Sequence, residues 1–203
     1  MRVDKVILKA IISTVSAIVV LFAIMFGALV AAFPSTMMQL SYDFGQDESS
    51  IRYAERAYEW FDDTYYMAYA MEVAIGCDNQ EKIEQCGLAV VADAEYFTQY
   101  CEEKDAAQSL VKTDDYIYGK ISVAKYAQNK KEEAVNYAFD TLNGGFAVNN
   151  AAVAVFYVAV SNNDQATVNM IKGKMEQQQA QGIAEGDMAY FKDFEKVLGL
   201  AIE

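Results

Sequence analysis

The chain has 203 residues, a net charge of −13, one proline and no histidine. Without histidine it lacks the commonest general base, the usual zinc ligand and both His-dependent triads, which argues against an ordinary serine, cysteine or zinc hydrolase. The acidity argues against nucleic acid or an anionic lipid surface as partner, since both need clustered Lys and Arg. It suits solubility, with weak divalent-cation binding as the sharper alternative.

Residues 10 to 33 (AIISTVSAIVVLFAIMFGALVAAF) carry no charge. A helix of that length reaches roughly 36 Å against a hydrocarbon core of ~30 Å, so it is long enough to span a bilayer with some tilt. Arg2, Lys5 and Lys9 crowd its N-terminal side, and the next positive charge beyond it is Arg52. The positive-inside tendency therefore predicts a cytoplasmic N-terminus at 1–9, a transmembrane signal-anchor at 10–33 and an extracytoplasmic remainder. Val30-Ala31-Ala32 also fits a signal-peptidase site, so a cleaved leader is the alternative, against which the length of the apolar run weighs. With three cations and one anion the first 33 residues carry +2, which leaves −15 for the rest.

Residues 34–48 hold Pro34 and several polar residues and read as a linker, with Tyr42 and Phe44 near the headgroups. The remaining 49–203 reads as one helical domain, rich in Ala, Glu, Gln, Met and Lys. Ala54, Tyr58, Phe61, Tyr65 and Tyr69 recur at helical spacing as one stripe, with a break expected at Asp62-Asp63-Thr64. That stripe is either core or an aromatic groove for a peptide. Gly76 is the expected C-cap of this segment, and Asp78 with Glu81 matches a capping box. A helix over about 79–100 follows, with Ile83, Val90, Val91, Ala94, Phe97 and Cys101 inward, and 102–112 reads as a connection.

Asp114 or Asp115 then caps a helix to Gln128, and a tight turn at Asn129-Lys130 leads to a helix over 131–142 closed by Asn143-Gly144-Gly145. Residues 148–160 are apolar nearly all round, which suits a central buried helix too short to cross a membrane. Another turn at 161–164 and a helix over about 165–179 follow, then a break at 182–186 and an amphipathic final helix suited to capping a stack. Cys77, Cys86 and Cys101 are expected as thiols, with a Cys77–Cys86 bridge as the alternative. Adjacent carboxylate pairs and the absence of a glycine-rich phosphate loop give no support to an enzyme, a metal site, a cofactor or a small-molecule substrate.

Superimposing Ala134 on Ala166 aligns two helix–turn–helix units at an offset of 32, with Ile121 on Val153, Ser122 on Ala154 and Ala127 on Ala159. Val153-Ala154, Tyr157, Ala166, Met170 and Gly173 follow the residue order of a tetratricopeptide repeat, and the resemblance covers about 116–179. Lys125 stands where the first unit would carry an aromatic, with Tyr126 beside it. The resemblance implies an all-α fold in which the membrane helix precedes a stack of antiparallel helical hairpins, an α-solenoid closed by the amphipathic C-terminal helix. It also implies a protein-binding scaffold whose groove would present Tyr116, Val123, Tyr126, Val148, Ala151, Val155 and Val158. Two functional readings result: a membrane-anchored scaffold or accessory subunit of an envelope complex, and a structural subunit held mainly by its membrane helix.

Overall fold

A computed structural model describes residues 5–107, 112–141 and 151–180, and every regular element among them is a helix. The expected break and amphipathic helix beyond residue 180, the closing Asn143-Gly144-Gly145 and Val148 lie outside the described residues. The chain divides into two compact units, Met1–Asp62 and Asp63–Glu203.

The first unit begins with α1 (Lys5–Ala32), whose stretch Ile7–Ala28 is long and apolar enough to cross a membrane and is buried against nothing in the protein. At Phe33 the backbone leaves helical geometry, and α2 (Pro34–Asp43) starts with proline in its first turn. The stretch expected to be a linker therefore holds a helix. The ring that ends one helix is pre-set for the start of the next, because the first turn has no use for the missing N–H. α2 packs against α3 (Asp47–Phe61) by burying Met37 and Met38 against Ile51, Ala54 and Ala57. Ser50 Oγ, itself buried, donates to the Met38 carbonyl at 2.9 Å and fixes the register of the pair. Asp47 and Glu48 in the first turn of α3 complement its positive end.

The second unit contains α4 (Tyr65–Gly76), α5 (Gln80–Ala92), α6 (Ala94–Ala107), α7 (Thr113–Ala127), α8 (Lys131–Asp140), α9 (Ala151–Ser161) and α10 (Gln165–Ala180). Packing is between near neighbours in sequence: α4 on α5, α5 on α7, α7 on α8 and α9, and α9 on α10. Its interior includes Met71, Val90, Ile117 and Ile121, and a second group of Val135, Val155, Phe156, Ile171 and Met175. Gly87 lets α5 approach α7 closely, for a Cβ there would lie 2.7 Å from Ile121 Cγ1.

One turn joins four of the helix pairs. In α2–α3, α4–α5, α7–α8 and α9–α10 a single left-handed residue, Gly45, Asp78, Asn129 or Asn163, donates to the carbonyl three residues back. The residue after it donates to the carbonyl five back, the Schellman closure. Three of these turns use Asp or Asn, whose short polar side chains tolerate the left-handed region. The expected cap at Gly76 is thus corrected, since Gly76 is still helical and Asp78 takes the positive φ. Asn79, not Asp78, caps α5 by accepting from the Lys82 N–H at 3.2 Å.

The turns also correct the 32-residue alignment, because Asn129 and Asn163 are 34 apart. At 32 the buried Ala134 falls on Ala166, which is exposed. At 34 the buried Ile117, Ile121 and Ser122 fall on the buried Ala151, Val155 and Phe156. In the second helices the shorter offset fits better, since at 32 the buried Val135 and Phe139 fall on the buried Thr167 and Ile171, whereas at 34 Val135 falls on the exposed Asn169.

Three further expectations change. The helix read as 79–100 breaks at Asp93, and the supposed connection 102–112 is helical as far as Ala107. Asp114 and Asp115 lie inside the first turn of α7, while the cap comes from Asp105, whose Oδ1 accepts the Thr113 N–H and hydroxyl at 2.7 and 2.5 Å. The aromatic stripe is split by the Asp62–Thr64 break between the two units; Ala54 is buried, but Phe61 and Tyr65 are exposed.

Candidate functional site

The second unit carries a cleft of about 440 Å³ lined by Glu72 and Ile75 of α4, Tyr100 and Lys104 of α6, and Thr113, Tyr116 and Ile117 of α7. Asp93 positions its α6 wall. Its Oδ1 accepts the Tyr96 N–H at 3.1 Å and its Oδ2 accepts the Thr64 hydroxyl at 2.6 Å, tying the start of α6 to the start of α4. These two hydrogen bonds hold the Asp93 carboxyl below its ordinary range.

The polar wall is satisfied internally. Tyr100 donates to Glu72 Oε1 at 2.7 Å, and Lys104 Nζ pairs with the same oxygen at 2.6 Å while lying 5.4 Å from the Tyr100 ring centre. Burial and then the Glu72 carboxylate push Tyr100 far above the usual phenol range, so it stays a neutral donor. Cys101 in the same helix is pushed up to about 12 by burial and by Asp114 and Asp105. Ile75, Ile117 and the Tyr116 ring supply the apolar part of the lining. The polar wall of the pocket thus consists of a phenol held neutral and a carboxylate shared between two donors.

The residues read as a groove take different positions, with Val148 outside the described residues. Tyr116, 44% exposed, stands at the cleft, and Val123 and Val158 are half-buried. Tyr126, Ala151 and Val155 are corrected to core positions. α9 packs against α7, α8 and α10, which leaves Val155 no solvent to face. Tyr126 is turned inward by its hydroxyl, which donates to Asp164 Oδ2 at 3.0 Å.

Two charge networks tie successive helix pairs together. Glu84 on α5 is buried, and its Oε1 accepts from Lys125 of α7 at 2.8 Å. Its Oε2 accepts from Lys130 and Gln128, each at 2.7 Å. Burial alone would raise the Glu84 carboxyl, but the hydrogen bonds and charges of Lys125 and Lys130 outweigh it and hold it low. Asp164 accepts from Tyr126, from the Thr167 hydroxyl and N–H, and pairs with Lys131 at 2.7 Å. Lys131 first, helped by Thr167 and Tyr126, holds this carboxyl far below its ordinary range against the opposing effect of burial. Lys125, out of place in the aligned repeats, was the one visible sign of the first network; nothing local marks Glu84, Glu72 or Lys104.

No cysteine forms a disulfide. Among the described residues no group of His, Cys, Asp and Glu is arranged to hold a metal ion. The chain matches no protein-family model, no curated protein and no solved structure, so its function is argued from this geometry alone.

Proposed function

We propose that the protein is a membrane-anchored helical-repeat scaffold, its N-terminus cytoplasmic and its second unit outside, which binds another protein as an accessory subunit of an envelope complex. The observation that carries this is the repeated turn: two of its copies sit 34 residues apart, the period of a tetratricopeptide repeat, and join helix pairs that pack on their sequence neighbours. A stack of paired helices offers an extended surface suited to a polypeptide. The cleft around Tyr116, apolar on one side and self-neutralised on the other, suits a large side chain of the partner.

The second reading, a structural subunit held chiefly by its membrane helix, draws support from α1, whose apolar span is unburied. A photo-crosslinking residue at Tyr116 in the full chain in its native membrane separates the two. The scaffold reading expects a polypeptide adduct at Tyr116 and none at the exposed Tyr157. Adducts from α1 positions alone would overturn it in favour of the structural subunit.

A further inference from the structure

α6 is held to the second unit differently from the helices around it. Of its fourteen residues only Phe97 is buried, whereas α4 buries six of twelve and α7 seven of fifteen. The Phe97 ring packs on Tyr118 of α7, with ring centres 5.5 Å apart. The polar ties of α6 run from Tyr100 and Lys104 to Glu72 and from Asp105 to Thr113, and Asp93 binds Thr64 just before its first turn. The Glu72–Lys104 pair is nearly half exposed, so water and salt weaken it. One buried ring and a few surface contacts make α6 easier to open than α4 or α7.

The packing around α6 does not depend on it. α5 meets α7 directly, with Gly87 against Ile121, so the α4–α5 pair reaches the α7–α8 pair without the helix that lies between them in sequence. A fourteen-residue helix is marginal in water by itself, so α6 unravels once it is released. Its departure removes one wall of the cleft, the wall that Tyr100 and Lys104 supply beside Ile75 and Ile117. Closed, the cleft of about 440 Å³ has the size of a small-molecule pocket, whereas a stable protein interface covers ~800 Å² on each partner. A polypeptide therefore needs more of this face than the closed cleft offers.

We propose that α6 is a detachable cover: it leaves the cleft as a unit while α4, α5 and α7 stay packed, and the partner polypeptide gains the α4–α7 face only when it has left. The detachment stands by itself, whereas the gating rests on the scaffold reading, and the test separates them.

Hydrogen exchange of the full chain in phosphatidylcholine nanodiscs tests the detachment. The amides of α6 should exchange together and at least about tenfold faster than those of α5 and α7. Gly87→Ala, which loosens the α5–α7 contact, should speed α5 and α7 by about tenfold and leave α6 unchanged, because α6 opens without breaking that contact. Equal rates in the three helices of the unaltered chain overturn the proposal, and so does an α6 that accelerates with α5 and α7 in Gly87→Ala, since it then opens only with the whole unit. The gating is read from a photo-crosslinking residue at Tyr116 in the native membrane. Phe97→Ala, which favours the open state, should raise the yield of polypeptide adduct severalfold, and Phe97→Leu should raise it less. Adduct that forms but does not increase overturns the gating and leaves the scaffold reading standing. Absence of polypeptide adduct in every variant overturns both.

Discussion

α1 and α9 are both almost wholly apolar, yet they lie in opposite surroundings. Across α1 the large side chains are open, with Phe22 68% exposed, whereas in α9 Val155 and Phe156 are sealed inside. Composition does not separate them; length does. α1 has 28 residues and α9 has 11, roughly 42 Å against 16 Å of helix, and only the first exceeds a hydrocarbon core of ~30 Å. A short apolar helix needs neighbours of its own chain, and α7, α8 and α10 provide them. The long one has no such neighbours among the described residues and is long and apolar enough to cross a membrane.

The largest test of that contrast is truncation of one phenylalanine in each helix. Phe156→Ala should cost about 3–5 kcal/mol in urea unfolding of the second unit, by transfer and cavity together. Phe22→Ala should leave the same transition within about 0.5 kcal/mol. Next comes the buried charge. Glu84→Ala leaves the buried Lys125 only the longer 3.4 Å contact with Glu133 and should cost about 3 kcal/mol in the same titration.

The close approach at Gly87 predicts a loss of about 1–3 kcal/mol for Gly87→Ala, because the fully buried Ile121 must shift. At Gly119 a Cβ would meet Ala154 Cβ at an ordinary 3.4 Å, so Gly119→Ala should instead raise stability by up to about 1 kcal/mol. Equal losses at the two glycines would disprove the tight α5–α7 contact.

Acid comes next in size. Glu84 and Asp164 both have folded-state carboxyls held below their unfolded range, so their contribution is complete above that range and disappears as pH falls through the depressed folded values. Stability should therefore decline below about pH 4, and Asp164→Asn should flatten the decline in an acid titration followed by circular dichroism. The smallest effect belongs to Tyr137, whose buried hydroxyl has no hydrogen-bond partner among the described residues. Tyr137→Phe should be neutral or stabilising by up to about 1 kcal/mol, and a clear loss would reveal a partner for that oxygen.

Features written in local chemistry were legible in the sequence. The breaks at 62–64, 129–130 and 161–164 are dense in Asp and Asn, and the apolar runs of α1 and α9 need no tertiary information. What escaped depends on distant partners. Asp93 ends a helix because Thr64, 29 residues away, and the Tyr96 N–H share its carboxylate. Glu84 is buried because Lys125, 41 residues on, reaches it. Pro34 reads as the start of a linker, although its ring begins α2. The groove was placed by analogy on inward positions of α7 and α9, while the cleft opens where α4, α6 and α7 meet, which no periodicity within a single helix encodes.

The recurring turn also bears on how the chain reaches its structure. Each closes on hydrogen bonds no more than five residues long, and the two helices it joins pack on each other. Contacts so short in sequence close quickly, because little chain entropy is lost before they are rewarded. The helix pairs of the second unit can therefore form locally, while the burial of Glu84 on α5 waits for Lys125, 41 residues later.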